Sequence, residues 1–174
     1  QNIIKSVNEN LVIFDLSADF RLSNAETYES WYKVKHESKK LLKKAVYGLS
    51  EIFRDKIKKS NLIACPGCYP TSVLLPLIPL LKDNLINTNE IIIDSKSGYS
   101  GAGKKTLDAK LYPQIEKNIA IYGLSNHRHV PEIEEYLNMF IDKKTQINFT
   151  PHLIPTFRGI LSTIYIKSNF NLTK

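Results

Sequence analysis

The sequence predicts a fold that combines α-helices with β-sheet and begins with parallel strands. Residues 11–17 (LVIFDLS) form an apolar run that ends at polar residues, as buried strands of parallel sheets do. Residues 62–64 form a second apolar run, which leads directly into a helical pattern. Residues 146–154 and 160–167 alternate between apolar and polar side chains, which predicts two further strands.

The segments between the first strands predict helix and loop. Residues 25–44 are rich in lysine and glutamate and carry aromatic residues at helical spacing, so they predict a surface helix followed by a polar connection. Residues 45–49 form a short apolar segment. The next predicted helix covers residues 69–81, with Pro70 in its first turn, where the missing N–H costs nothing.

Two further prolines, Pro76 and Pro79, are expected to kink or shorten that helix. A later amphipathic helix is predicted over 131–141, because Pro131 and two glutamates near its start suit the positive end of the helix dipole. The other predicted segments are a strand over 90–94, a glycine-rich loop over 95–105, a strand over 119–122, and a turn over 155–159 that joins the last two strands.

The composition excludes several classes of protein. With 43% hydrophobic and 24% charged residues, the 174-residue chain can bury a core, so disorder is not expected. No apolar stretch approaches the roughly 18 residues of a membrane span, so we expect no membrane partner. The two cysteines are too close together to join distant parts of a fold, which favours the reducing cytoplasm.

The formal net charge of +7 raises the question of a nucleic-acid partner. Lysines are concentrated in residues 33–44 and 56–59, without interleaved aromatic side chains that would stack on bases. We therefore interpret these lysines as solvated surface and expect no nucleic-acid partner.

Cys68 is the main candidate for a reactive group. It lies where a predicted helix begins, and free N–H groups and the positive end of the helix dipole stabilise a thiolate there. The spacing Cys65-x-x-Cys68 is also that of a dithiol redox protein or half a zinc site, and a buried inert pair is a further alternative. Zinc is disfavoured because the histidines lack finger-like spacing, so we expect no metal.

A second candidate cluster lies at residues 126–132 (NHRHVPE). His127 and His129 flank Arg128, and Glu132 follows three residues after His129, on the same face of the predicted helix. An acid/base histidine oriented by a carboxylate is the partner that an activated thiolate requires. The alternative is that one or both histidines are surface or capping residues.

The glycine-rich segment offers a candidate anion site. Residues 98–104 nearly match the phosphate loop G-x-x-x-x-G-K-[ST], but Lys105 stands where the magnesium-binding hydroxyl belongs, which excludes a nucleoside triphosphatase. Backbone N–H groups of such a loop can still hold an anion. The alternative is a flexible turn.

Six motifs together resemble the N-acetyl-gamma-glutamyl-phosphate reductase family, and their order and approximate spacing agree over nearly the whole chain. They are DLSADFRL (15–22), YGLSE (47–51), CPGCYPT (65–71), SGYSGAG (97–103), HRHVPEI (127–133) and TPHLIPTFRGI (150–160). One departure is visible, because the family usually has asparagine where Cys65 stands. Cys68 is therefore the residue that matches the family's nucleophile.

The resemblance implies that the chain is a fragment of a longer protein. Residues 1–64 would be the end of an NADP-binding, Rossmann-like parallel-sheet domain, whose glycine fingerprint is absent here. Residues 65–174 would be an incomplete α+β catalytic and dimerisation domain of the semialdehyde dehydrogenase type, with a mixed sheet. A homo-oligomer is expected on the same ground.

The implied chemistry is reduction of N-acetyl-gamma-glutamyl phosphate by NADPH through a thioester on Cys68, in arginine biosynthesis. Proton transfer is assigned to His129 with Glu132, substrate binding to His127, Arg128, Arg158 and Ser97, and cofactor binding to Ser100, Gly101, Ala102 and Gly103. Two alternatives stay open: a related semialdehyde dehydrogenase of the aspartate type, and a C-x-x-C dithiol redox protein.

Overall fold

A computed structural model describes residues 10–102, 117–142 and 144–170. The chain divides into two compact units, Gln1–Gly67 and Cys68–Lys174. The assignment of residues 1–64 and 65–174 to a cofactor domain and a catalytic domain stays a prediction. Among the described residues, no helix has the length and apolar character needed to cross a bilayer.

The first unit is built on a three-stranded parallel sheet, as predicted for the start of the chain. Its strands are β1 (Ile13–Asp15), β2 (Val46–Tyr47) and β3 (Leu62–Ala64), in the order β1-β3-β2. The helices are α1 (Ala25–Tyr32), α2 (Lys39–Leu42) and α3 (Ser50–Ile57). A core of Phe20, Leu42, Leu62 and Ala64 lies against the sheet.

The prediction that residues 11–17 are buried is wrong in one respect. β1 does pair in parallel with β3, but Phe14 is 65% exposed and Leu16 is 79% exposed. Among the described residues β1 lies at the edge of the sheet, so one of its sides has no neighbouring strand there. The apolar run predicted a strand correctly, but it cannot show what covers that strand.

Arg21 joins the carboxyl ends of two strands in this unit. Its Nε donates to the carbonyl of Cys65 at 2.8 Å, and its Nη2 donates to the carbonyl of Leu16 at 3.0 Å. The backbone N–H of Cys65 donates to the carbonyl of Asp15 at 2.8 Å. These bonds hold in place the segment that leaves β3.

The second unit contains a mixed four-stranded sheet in the order β5-β6-β4-β7. The strands are β4 (Ile86–Gly98), β5 (Ala120–Ile121), β6 (Ile147–Ile154) and β7 (Ile160–Ser168). β4 is parallel to β6 and antiparallel to β7. Two helices, α4 (Cys68–Lys82) and α5 (His129–Leu137), pack on each other and on the sheet, and short 3-10 helices cover Tyr99–Ala102 and Asn138–Phe140.

One sequence prediction about this sheet is corrected. Residues 95–98 were expected in a loop but belong to β4, because they pair with both β6 and β7 and their serine side chains are buried. The strands over 146–154 and 160–167 are present, but β4 lies between them. The 155–159 turn joins these two strands, as predicted, and crosses the end of β4 to do so.

Helix α4 runs through Pro76 and Pro79 to Lys82, so the expectation that these prolines shorten it is wrong. Both prolines are exposed, whereas the opposite face buries Val73, Leu74 and Leu77 among others. Burial of that face stabilises the helical conformation, and water can reach carbonyls on the proline side. The hydroxyl of Ser162 on β7 lies 2.7 Å from that of Ser72 on α4 and 2.7 Å from that of Ser95 on β4.

Replacement of Pro76 by alanine should stabilise the protein. The change restores an N–H donor to the carbonyl of Ser72 inside α4 and removes no buried contact, and we expect the free energy of unfolding to rise by about 1–3 kcal/mol. The control is Pro131→Ala in the first turn of α5, where the N–H is not needed and the ring is buried, so stability should not rise. Urea unfolding of both variants is the measurement, and a loss of stability in Pro76→Ala would contradict the explanation.

Candidate active site

Cys68 is the first residue of α4, and its side chain is exposed and carries a free thiol. At this position the side chain lies at the positive end of the helix dipole. The electrostatic environment of a helix start favours the negatively charged form of a side chain. The structure therefore confirms that Cys68 lies at a helix start, while its role as a nucleophile stays a prediction.

Tyr69, the next residue, organises the other groups of the site. Its side chain is only 2% exposed, and its hydroxyl lies 2.9 Å from that of Tyr122. Its ring centroid lies 5.4 Å from that of His127 and 5.9 Å from that of His129, both in edge-on contacts. The ring centroid of Phe149 on β6 lies 5.2 Å from that of Tyr69, also in an edge-on contact. The residue that follows Cys68 thus brings both predicted histidines to the start of α4.

The two tyrosine hydroxyls lie within electrostatic range of Cys68. Burial raises the pKa of Tyr69 and of Tyr122, and a charge on Cys68 raises both pKa values further. Both phenols are therefore protonated at neutral pH and act as hydrogen-bond donors or acceptors rather than as bases. Ser97 at the end of β4 reaches the same place, because its hydroxyl hydrogen-bonds to that of Tyr69 and lowers the pKa of Tyr69.

His127 is neutral at physiological pH. Burial, with a smaller contribution from the neighbouring Arg128, lowers its pKa to about 4. Its Nδ1 accepts a hydrogen bond of 3.2 Å from the backbone N–H of His129, so the ring proton is on Nε2. A neutral ring with its proton on Nε2 can donate a hydrogen bond to an oxygen of a substrate.

Gly123 shapes the turn that holds His127. Its φ is +59°, and a Cβ at this position would lie 3.2 Å from Cδ2 of His127. The N–H of Asn126 donates to the Gly123 carbonyl at 3.2 Å and closes the turn. Only glycine combines this backbone conformation with such close approach of the imidazole.

His129 and Glu132 share the first turn of α5, which begins two residues before the predicted helix. His129 is the first residue of that helix, and Glu132 is 1% exposed. The spacing of three residues puts both side chains on one helix face. The ring centroids of His129 and His127 are 4.9 Å apart, so the predicted proton carrier lies beside the neutral histidine.

The two predicted arginines lie on different segments. Arg128 is exposed and directly precedes α5. Arg158 is exposed in the 155–159 turn, and its guanidinium carbon lies 5.1 Å from the centroid of the Phe157 ring. Their assignment to substrate binding stays a prediction.

The predicted anion cradle is only partly available. The backbone N–H groups of Gly98, Tyr99 and Ser100 donate to carbonyls of the 155–159 turn at 2.9, 3.0 and 3.0 Å. Those of Gly98 and Ser100 therefore do not face an anion, which corrects that part of the expectation. Gly101 and Ala102 follow in a 3-10 helix, and Gly103 lies outside the described residues.

The sequence reasoning missed Tyr69, Tyr122, Gly123 and Phe149 as parts of the site. Tyr69 lies within the quoted motif CPGCYPT, and Tyr122-Gly123 lies four residues before His127, so proximity in sequence was a usable signal for these. Phe149 had no such signal, because the pairing of β6 in the sheet is what brings it next to His127. Within residues 10–102, 117–142 and 144–170, no three His, Cys, Asp or Glu side chains form a group that could hold a metal ion.

Comparison with known proteins gives consistent findings for the whole chain. A family model described as semialdehyde dehydrogenase, dimerisation domain, matches residues 68–174. The chain is 54% identical over 167 residues to a protein of Arabidopsis thaliana named probable N-acetyl-gamma-glutamyl-phosphate reductase, chloroplastic, covering 96% of this chain and 42% of that one. It is 49% identical over 172 residues to a Campylobacter jejuni protein named N-acetyl-gamma-glutamyl-phosphate reductase, covering 97% of this chain and 50% of the relative.

These relatives confirm the resemblance that the motifs indicated, and the chain spans about half the length of the curated relatives it matches. Among solved structures, aspartate semialdehyde dehydrogenase II from Vibrio cholerae matches 92% of this chain and 50% of its own, with a TM-score of 0.60 and 19% identity. This match concerns the fold, and it confirms the predicted fold class of a parallel sheet followed by a mixed-sheet, semialdehyde-dehydrogenase-type unit.

The low pKa of His127 predicts a pH dependence of stability. The pKa of a histidine in an unfolded chain is about 6.5, so between pH 6.5 and 4 the unfolded chain binds the extra proton. The free energy of unfolding should therefore be fully maintained above pH 6.5 and fall as the pH drops towards 4. The slope from this group is at most about 1.4 kcal/mol per pH unit, and less because the ring is partly exposed.

NMR of imidazole-labelled protein between pH 4 and 8 measures the titration directly, with assignment by His127→Gln. The same variant should show a weaker loss of stability between pH 6.5 and 5. A His127 ring that titrates near pH 6.5 would refute the proposed environment.

Proposed function

Because the chain belongs to the semialdehyde dehydrogenase family, whose dimerisation domain it carries, we propose that the complete protein is an N-acetyl-gamma-glutamyl-phosphate reductase. This oxidoreductase of arginine biosynthesis reduces N-acetyl-gamma-glutamyl phosphate to N-acetylglutamate semialdehyde and releases phosphate. The observation that supports the proposal is the position of Cys68 at the start of α4, directly before Tyr69, whose ring contacts both histidines.

Cys68 is the nucleophile. Its thiolate attacks the acyl carbonyl of the substrate, the C–O bond to phosphate breaks, and a thioester with Cys68 remains. The neutral His127 donates a hydrogen bond from Nε2 to the carbonyl oxygen, which gains negative charge as the tetrahedral species forms. Because this donor is fixed before the substrate arrives, its reorganisation during the reaction is small.

NADPH is the proposed reductant, and when bound it would supply the hydride for reduction of the Cys68 thioester to a thiohemiacetal. Gly101 to Gly103 are the proposed contacts of this chain with it. A Cβ at Gly101 would lie 3.0 Å from the hydroxyl oxygen of Ser97, so glycine lets the backbone pack closely against Ser97 here. Ser100 would contribute its side chain to cofactor binding, since its backbone N–H already donates to the carbonyl of Phe157.

His129 carries the proton. It accepts the proton of the Cys68 thiol as the thiolate forms. It then protonates the oxygen of the thiohemiacetal, and it moves that proton to the Cys68 sulfur as the C–S bond breaks and the aldehyde forms, while Glu132 orients its ring from the same helix turn. Arg128 and Arg158 present exposed guanidinium groups that can bind the carboxylate and the phosphate of the substrate. Ser97 completes the site by its hydrogen bond to Tyr69.

The proposed partners are a small-molecule substrate and further copies of the chain, without nucleic acid or membrane. The family model that matches residues 68–174 is named for dimerisation, which supports a homo-oligomer. Two free cysteines, one of them a proposed nucleophile, suit the reducing cytoplasm. A second candidate, an aspartate semialdehyde dehydrogenase, is favoured by the fold match alone, and the choice of acyl phosphate separates the two.

Substitution of Cys68 by serine in the complete protein should abolish NADPH-dependent reduction of N-acetyl-gamma-glutamyl phosphate, because an alcohol cannot form the thioester at this position. The matched control is Cys65→Ser, three residues earlier, which should keep most of the activity. Faster conversion of aspartyl phosphate than of N-acetyl-gamma-glutamyl phosphate would favour the second candidate. Loss of activity in both serine variants, with a disulfide reduced by dithiol reductants, would instead favour a dithiol redox protein.

The two histidines should respond differently to substitution. His129→Asn should lower kcat by about 10²–10⁴-fold and remove a limb of the pH–rate profile, since proton transfer is lost. His127→Asn should lower kcat less and leave the limb in place, because His127 does not titrate near neutral pH. A pH profile changed only by the His127 substitution would reverse the assignment.

A further inference from the structure

The first unit contains a cleft of about 1310 Å³ that the proposed reaction does not use. It is lined by the amino ends of the three parallel strands, including Ile13, Val46 and Leu62. Cofactors of open α/β sheets bind at the opposite, carboxyl edge. The cleft is therefore separate from the edge at which a dinucleotide is expected.

The cleft is strongly basic. The described lining contains one carboxylate, Glu37, and six lysines: Lys35, Lys39, Lys40, Lys44, Lys56 and Lys59. Lys39 is also paired with Glu29 at 3.0 Å, while the other side chains around the cleft are apolar or neutral apart from His36. Charges of one sign around a concave surface focus the potential and attract an anion with several charges.

Ser38 supplies a second, independent indication of a ligand. It lines the cleft and is 6% exposed, and its hydroxyl has no hydrogen-bond partner among the residues that the structure describes. Its backbone is held on both sides, since its N–H donates to Nδ1 of His36 at 3.2 Å and its carbonyl accepts from the N–H of Leu41 at 2.9 Å. A buried hydroxyl without a partner is unusual, and rotation about its one side-chain torsion is the movement that would offer it to an anion.

We propose that this lysine-lined cleft binds a polyphosphate, that is, a small molecule with two or more linked phosphate groups. The lysines neutralise its charge and Ser38 donates a hydrogen bond to a phosphate oxygen. Nucleic acid is a poorer match, because the lining has no Phe, Tyr or Trp side chain on which a base could stack. The one aromatic ring there, His36, has Nε2 bonded to the Asp19 carbonyl and edge-on contacts with Phe20 and Tyr28.

The test is calorimetric titration of the complete protein with inorganic tripolyphosphate, in the presence of saturating NADPH so that the proposed cofactor site is occupied. We expect one site per chain, with an affinity that falls as salt rises. Ser38→Ala should weaken binding about two- to tenfold, the range expected for one hydrogen bond. The triple variant Lys35→Gln, Lys40→Gln, Lys44→Gln should weaken it by a factor of ten or more.

The matched control is Lys43→Gln, Lys58→Gln, Lys144→Gln, which removes the same charge from exposed lysines outside the cleft. Equal weakening in both triple variants would mean nonspecific attraction and would overturn the proposal. So would the absence of binding at about 0.15 M salt, displacement by NADPH, or tighter binding of single-stranded RNA at the same lysines.

Titration with ATP distinguishes the sources of the ligand. Affinity equal to that of tripolyphosphate would mean that the phosphates alone are recognised, and tighter binding of ATP would identify a nucleotide. The proposal does not depend on reductase activity, because binding is the measurement, and Cys68→Ser protein should bind tripolyphosphate as the unaltered protein does.

Discussion

Burial of the Tyr69 ring is the constraint on which the candidate site depends. The side chain is anchored in the interior of its unit, and its backbone belongs to the first turn of α4, so Cys68 one residue earlier is held at the surface. The same ring contacts His127 and His129, which belong to a segment almost sixty residues later in the chain. One aromatic side chain therefore sets the relative positions of the thiol and the imidazoles.

The position of Tyr69 in turn depends on how α4 lies on the mixed sheet. Its apolar face packs towards β4 and β7, and the hydroxyl of Ser162 lies between those of Ser72 on the helix and Ser95 on the sheet. β4 also carries Ser97 to the hydroxyl of Tyr69. The core packing of α4 therefore also brings the side chains of the candidate site together at the amino end of this helix.

Much of this could be predicted from local sequence. Gly67 and Pro70 mark the start of a helix at Cys68, and Pro131 with Glu132 marks the start of a helix near His129, because turn and capping preferences act within a few residues. Predictions that needed knowledge of neighbours failed. Residues 95–98 form a strand only because β6 and β7 flank them, and the exposure of Phe14 depends on what covers β1.

The sequence by itself determined which residues are candidates for chemistry and which helix ends they occupy, since residue type and helix signals are local properties. Only the tertiary structure decided that His127 is neutral, that Tyr69 meets Tyr122 across 53 residues, and that the N–H groups of Gly98 and Ser100 are already bonded to a turn. Burial and hydrogen-bond partners arise from segments that are distant along the chain. No local pattern records them, so the protonation state of the site and the availability of its donors follow from the fold.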